Sequence, residues 1–245
     1  MRWVLIIKSM IDQARKKDSE KILFLGASRG LGAATLELVR QSLPQVQTLL
    51  MSRRPQEFQG QSMVANFSKP EDQKKVLEVL SEFQPTRIFY FAGGGPFGPL
   101  QEKEWKDHQW ALDVSLLFPA QLIHRCLQTP QNLKQMIFIG SSVAETKPDP
   151  FAASYAMAKH GLLGLISSLQ GEALNLDLRL FSPHYMDTEL LPKNAWPRQN
   201  VGLWKVEEVA KLFCHWVFEE KNPAGSNWHK TLESKKLDIK ISEDM

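Results

Sequence analysis

Lys21-Ile22-Leu23-Phe24-Leu25-Gly26-Ala27-Ser28-Arg29-Gly30-Leu31-Gly32 is the stretch whose reading decides the fold. Lys21 to Leu25 is a compact β-type run, three glycines interrupt it, and Ala33 to Gln41 then carries a helical pattern. Strand, glycine-rich turn and helix make the arrangement that a phosphate-binding loop requires. Glycine lets the backbone approach a ligand closely, and the start of the helix offers free N–H groups to an anion. The candidate binding residues of this loop are Gly26, Ser28, Arg29, Gly30, Leu31 and Gly32.

Downstream, strands and helices alternate. Val46 to Ser52 and Ser62 to Ala65 read as strands, Glu71 to Phe83 as a helix, and Thr86 to Ala92 as a buried strand ending in Gly93-Gly94-Gly95-Pro96. A helical region from Trp105 to Gln128 precedes a strand from Gln135 to Ile139, which ends in Gly140-Ser141-Ser142. Ser154 to about Asn175 reads as helix, Asp177 to Phe181 as strand, and Val206 to about Glu219 as helix. Such alternation predicts an α/β fold, a doubly wound parallel sheet of Rossmann type in a single domain. That domain is expected over residues 19–229, after an amphipathic leader helix at 1–18 and before a peripheral or flexible tail at 230–245. The Pro- and Trp-containing segment Leu191 to Trp204 interrupts the alternation and reads as a long loop or lid.

Bulk composition narrows the function classes. With 245 residues, 43% hydrophobic and 23% charged, the chain can bury a sizeable core. A net charge of +3 leaves no footprint for nucleic acid, and Arg15-Lys16-Lys17 and Lys235-Lys236 read as solvated faces. Cys126 and Cys214 sit in neither a CxxC pair nor a His cluster, so reduced thiols and no metal site are expected. Val4 to Ile7 is too short for a signal sequence or a membrane span, which makes the cytoplasm the expected location and leaves no membrane partner.

The chemistry concentrates in Ser154-Tyr155-Ala156-Met157-Ala158-Lys159. On a helix Tyr155 and Lys159 are four apart and share a face, which brings a phenol within reach of an ammonium. A free phenol titrates near pH 10, and a fixed positive charge beside it is expected to lower that value. In a doubly wound sheet the Gly26 loop, the Gly93 turn, Ser142 and the Tyr155 helix all follow strands, at the edge where ligands bind.

With that set assembled, from the glycine loop to Ser142, Tyr155 and Lys159, residues 20–220 resemble a classical short-chain dehydrogenase/reductase. Ser142 precedes Tyr155 by thirteen positions. The resemblance implies hydride transfer between a nicotinamide and a carbonyl or alcohol carbon. Tyr155 would be the general acid/base, Lys159 would tune it and bind the nicotinamide ribose, and Ser142 would position the substrate oxygen. Ser115 aligns with a relay asparagine, Asn66 with an adenine-side aspartate, and Thr188, after Pro183-His184, with the carboxamide-binding residue. Phe91-Ala92-Gly93-Gly94 stands where Asn-Asn-Ala-Gly is usual, so Ala92, Gly93 and Gly94 would border the cofactor.

Charge bears on the cofactor. A carboxylate after the second strand suits a ribose 2′-hydroxyl, whereas arginine suits a 2′-phosphate. Here the strand ends Ser52-Arg53-Arg54, and Arg29 lies in the loop, so NADP(H) is expected. Phe97, Phe151, Tyr185, Trp196 and Trp204 fall on loops around the site and suggest a small-molecule carbonyl or alcohol substrate that is bulky or aromatic. The resemblance also implies a homodimer or homotetramer, and its missing C-terminal Asp-Gly-Gly puts the last strand in doubt. Ser115, Phe91 and His184 motivate the competing expectation, an NADP(H)-binding sensor or interaction protein with weakened or absent turnover.

Overall fold

The computed structural model describes residues 20–55, 60–128, 132–172, 174–193, 195–218 and 227–235. The expected leader helix lies outside these residues. A seven-stranded parallel sheet forms the centre, in the order β3-β2-β1-β4-β5-β6-β7. Its strands are β1 (Lys21–Leu25), β2 (Gln47–Ser52), β3 (Ser62–Val64), β4 (Arg87–Tyr90), β5 (Gln135–Ile139), β6 (Asp177–Ser182) and β7 (His229–Thr231). The order reverses between β1 and β4, the crevice at which ligands bind in doubly wound sheets.

β1 shows why a continuous apolar run becomes a central strand. Ile22 and Phe24 enter the core on one face of the sheet and Leu23 and Leu25 the core on the other, all fully buried. Helices α1 (Gly30–Ser42) and α8 (Val206–Phe218) pack together on one face. On the other lie α2 (Pro70–Phe83), α3 (Trp105–Leu112), α4 (Phe118–Gln128) and α6 (Ala153–Leu169). Two short helices, α5 (Ser142–Thr146) and α7 (Pro197–Asn200), sit among the loops at the carboxyl edge.

Three departures from the sequence reading affect the site. The single helix expected over 105–128 is broken by a π turn at Asp113–Leu117, where Ser115 turns its hydroxyl to the Gly94 backbone. The doubtful last strand exists: β7 pairs in parallel with β6, Leu180 to His229 and Ser182 to Thr231. Its packing extends past residue 229, because Gly202 bridges to Lys235, so the expected boundary of the tail at 230 falls inside ordered structure. The lid segment is also less irregular than expected, since α7 lies within it and Met186 bridges to Trp204.

Candidate active site

The glycine loop begins where β1 meets β4. Gly26 has φ +81°, and a Cβ on it would lie 2.5 Å from Ala92, so this crossing demands glycine. α1 follows with no side-chain hydrogen bond at its N-cap Arg29 and no acid in its first turn. Its N–H groups are therefore left to a ligand, and the positive end of the helix dipole favours an anion.

From this loop a cleft of about 1820 Å³ runs along the carboxyl edge of the sheet. Gly26, Ser28, Arg29, Gly30, Leu31, Gly32, Arg53, Arg54, Asn66, Ala92, Gly93, Gly94, Tyr155, Lys159, Pro183 and Thr188 line it, which is every residue expected to touch a cofactor. At one end three guanidiniums gather. Burial, then Arg29 and Arg54, hold Arg53 below the usual arginine range, and its guanidinium carbon lies 5.1 Å from the centre of the Trp110 ring. Arg29 also reaches across the mouth to Glu189, at 2.5 Å. Asn66 has its carboxamide oxygen occupied by the Ser68 amide and hydroxyl.

The other end holds the phenol. Tyr155 and Lys159 share one face of α6, with the Lys159 ammonium 5.5 Å from the Tyr155 ring centre. Lys159 is 4% exposed and donates to the Ile139 carbonyl at 2.7 Å. Burial lowers it from its ordinary 10.5 to about 8, against an opposing pull from Glu145. Tyr155 behaves otherwise than expected. Burial, then the charges of Glu145 and Asp149, raise it above 10, while the nearby Ser141 hydroxyl opposes them. A buried phenol keeps its proton in the absence of a stronger counter-charge, and the Lys159 ammonium is directed at a carbonyl.

The two neighbouring serines are placed differently. Ser142 does not line the cleft: it is 6% exposed and donates its hydroxyl to the Pro183 carbonyl at 3.3 Å. Ser141 lines the cleft, and its hydroxyl lies on the Tyr155 side of it. As N-cap of α5 it accepts from the Ala144 amide at 3.3 Å, which leaves its own proton to donate into the site. Ser115, too, is off the cleft wall. Its hydroxyl accepts from Gly94 N–H at 3.2 Å and donates to the Gly94 carbonyl at 3.4 Å. Lys159 and Ser115 nonetheless meet behind Gly93, where a Cβ would lie 3.2 Å from Nζ and 3.3 Å from Oγ.

Of the aromatic wall expected for a substrate, Phe97 and Tyr185 line the cleft and Phe151, Trp196 and Trp204 do not. Phe151 packs edge-on against Phe97 at 6.2 Å, Trp196 is 60% exposed, and Trp204 joins the core beside α8. The substrate end is mixed in character, because Tyr185 donates to Asp149, and His184, with its Nδ1 unpartnered, lies edge-on to Tyr185 at 4.8 Å. Burial lowers His184, with Asp149 opposing.

Several contributors were missed in the sequence reading. Trp110, which carries Arg53, was expected only as part of a helix. Asp149 lies in a loop with no motif around it. Arg198 binds the Thr188 loop, donating to the carbonyls of Pro192, Thr188 and Leu191 at 3.0, 2.8 and 2.9 Å and pairing with Asp187 at 2.7 Å. Its signal was weak: one basic residue just after a proline that opens a helix.

No protein-family profile matches the chain, and no curated protein matches its sequence. Solved structures match its fold. A short-chain dehydrogenase from Burkholderia cenocepacia in complex with NADP has a TM-score of 0.74 at 18% identity, covering 87% of this chain and 96% of that one. A short-chain dehydrogenase family protein from Francisella tularensis gives 0.72 at 18%, covering 88% and 97%. A 4-hydroxyisoleucine dehydrogenase complexed with NADH gives 0.72 at 16%, covering 88% and 97%. At these identities the likeness establishes the architecture, and this chain has the doubly wound fold of the short-chain dehydrogenases.

Proposed function

We propose that this protein is a short-chain dehydrogenase/reductase that uses NADP(H) to interconvert a small-molecule carbonyl and its alcohol. The observation that carries the proposal is the continuity of one cleft. It joins an anion-binding end, made by the open start of α1 with Arg29, Arg53 and Arg54, to an end where Tyr155, Ser141 and Lys159 come together. The three guanidiniums fit a cofactor with a phosphate on its adenosine ribose, and among the described residues neither Arg53 nor Arg54 is paired with a carboxylate. Among the described residues Arg29 pairs with Glu189, and that pair is exposed and exchangeable. When bound, the nicotinamide supplies or accepts a hydride.

In the reducing direction, Tyr155 gives its phenol proton to the substrate oxygen as that oxygen gains negative charge, and the oxygen becomes the alcohol hydroxyl. The raised proton affinity of Tyr155 keeps it protonated for this role at neutral pH. Ser141 donates a hydrogen bond to the same oxygen and fixes its position. Lys159 stands behind the phenol, restrained by Ile139. Phe97 and Tyr185 give the substrate an aromatic wall, and Asp149 and His184 add polar groups beside it.

A second reading has an observation in its favour: an NADP(H)-binding sensor or interaction protein with little turnover. The Ser115 hydroxyl is closed on Gly94 and the Lys159 ammonium on Ile139, so the group expected in the relay and the one expected to tune Tyr155 are both already partnered. NADPH oxidation measured against a panel of aldehydes and ketones, with Tyr155→Phe as control, separates the two. Turnover that Tyr155→Phe abolishes supports the reductase, and tight NADPH binding with no turnover supports the sensor.

Assembly and location complete the proposal. Leu117, the last residue of the π turn before α4, and Met157 on α6 are 56% and 51% exposed, and they suit pairing of these helices in a homodimer or homotetramer, which light scattering tests. Among the described residues no helix is long and apolar enough to cross a membrane, and Cys126 and Cys214 are unpaired and buried. Both thiols are pushed up to about 12 by burial, which suits a reduced, cytoplasmic setting.

A further inference from the structure

Behind the wall that carries Ser141 lies a buried carboxylate that the chemistry above does not use. Glu145, on α5, has a side chain only 4% exposed. Its Oε1 accepts from the Ser141 amide at 3.0 Å and from the Ser182 hydroxyl at 2.6 Å. Its Oε2 lies 3.1 Å from His229 Nε2, close but not aligned as a hydrogen bond. Ser182 Oγ is also 3.0 Å from that nitrogen. The ends of β5, β6 and β7 thus close around one acid. Gly140 makes the room, since a Cβ there would fall 2.4 Å from Glu145 Oε1 and 2.2 Å from Ser182 Oγ.

An acid in this position costs desolvation energy, and the cost is tolerated only where hydrogen bonds favour the ionised form. Burial pushes Glu145 up, but His229, Ser182 and the Ser141 amide outweigh it and hold Glu145 below the usual carboxylate range. It is therefore an anion at neutral pH. Its field reaches the site, because Glu145 opposes loss of the proton from both Tyr155 and Lys159.

We infer that Glu145 is a positioning residue for the reaction centre: it pins the turn that presents the Ser141 hydroxyl, and it fixes a negative charge behind Tyr155 and Lys159. The inference rests on the reading of Tyr155 as the acid. The mechanical part follows from connectivity. The Ser141 amide is held by Glu145 Oε1, and Glu145 is anchored in turn by Ser182, so the Ser141 hydroxyl on the cleft wall is located by the sheet itself and not by loop residues alone. The electrostatic part follows from burial, which leaves the charge little screened. The titratable groups facing Tyr155 are Lys159 on its own helix, Glu145 on α5, Asp149 on the following loop, and Tyr185 after β6. Those facing Glu145 are His229 on β7 and Lys159 on α6.

The test reads Tyr155 directly and needs no turnover. The chain has 3 tyrosines, so phenolate absorbance followed from about pH 8 to 12 on the full chain, with and without Tyr155→Phe, isolates the Tyr155 curve. In Glu145→Gln, which keeps the shape and one acceptor, Tyr155 is expected to ionise at lower pH by about half a unit or more. Glu145→Asp keeps the charge and is expected to follow the wild type. A Tyr155 curve unchanged in Glu145→Gln, or shifted equally in both variants, overturns the proposal, whatever happens to thermal stability. Failure of carbonyl reduction in the wild type would instead count against the reductase reading and leave this titration standing.

Discussion

The guanidinium of Arg53 lies over the indole of Trp110, 5.1 Å from the ring centre, at the end of the cleft where Arg29 and Arg54 add two more positive charges. Stacking holds the side chain in one place at little entropic cost and leaves its N–H groups for an incoming anion. Arg53→Ala is expected to weaken NADPH binding about tenfold or more, the worth of one charge-assisted contact, and to leave NADH affinity nearly unchanged. Fluorescence titration of both nucleotides checks this, and equal losses for the two would remove the 2′-phosphate assignment.

The serine pair gives a sharper test, because one residue separates two outcomes. Ser141→Ala is expected to lower kcat on the order of a hundredfold, through loss of the hydroxyl beside Tyr155. Ser142→Ala, which removes only a bond to the Pro183 carbonyl, is expected to cost about 1 kcal/mol of stability and little rate. The stabilities of the two variants should be similar, since Ser141→Ala loses an N-cap worth about as much. Steady-state kinetics in which Ser142→Ala is the slower variant would restore the assignment that the family resemblance implies.

Tyr155→Phe removes the proton and keeps the ring. Turnover is expected to fall by roughly a thousandfold with NADPH affinity within about twofold of wild type. A variant retaining more than about a tenth of the wild-type rate would require another acid in the cleft.

Lys159 links function to stability with a definite sign. Its folded value is depressed, so the unfolded chain binds the extra proton between about 8 and 10.5, and wild-type stability should rise with pH across that window. Below it the buried charge carries its full cost, on the order of 3 kcal/mol, partly offset by the bond to Ile139. Lys159→Met is therefore expected to be at least as stable as wild type at pH 7 and to lack the rise at higher pH, while losing activity. Urea unfolding at about pH 7 and about pH 9.5 measures both. A variant that is clearly less stable at neutral pH would show that the depressed value is wrong.

Much of this architecture was legible in the chain, and the illegible parts share a cause. Gln135 to Ile139 was read to its exact ends because an apolar run bounded by polar residues and glycine has few alternatives. The residues around the cofactor cleft followed from strand ends, which a doubly wound sheet must bring to one edge. β7 left no such trace, since His229-Lys230-Thr231 is polar and pairs on one side only. The choice between Ser141 and Ser142 turns on which residue caps α5, and capping is decided by a backbone rotation that thirteen-residue spacing does not encode. Arg198 was hidden because three of its four partners are carbonyls, which every residue has. The upward shift of Tyr155 depends on how deeply packing buries it, whereas the helical spacing showed only that Lys159 was near.

Arg29, in the glycine loop, and Glu189, in the loop after β6, join two walls of the cleft. A dinucleotide seated there competes with Glu189 for the same guanidinium, so occupancy and an open latch become mutually dependent. Added salt weakens the exposed latch and the phosphate contact together, which should make nucleotide exchange faster at high ionic strength even while affinity declines.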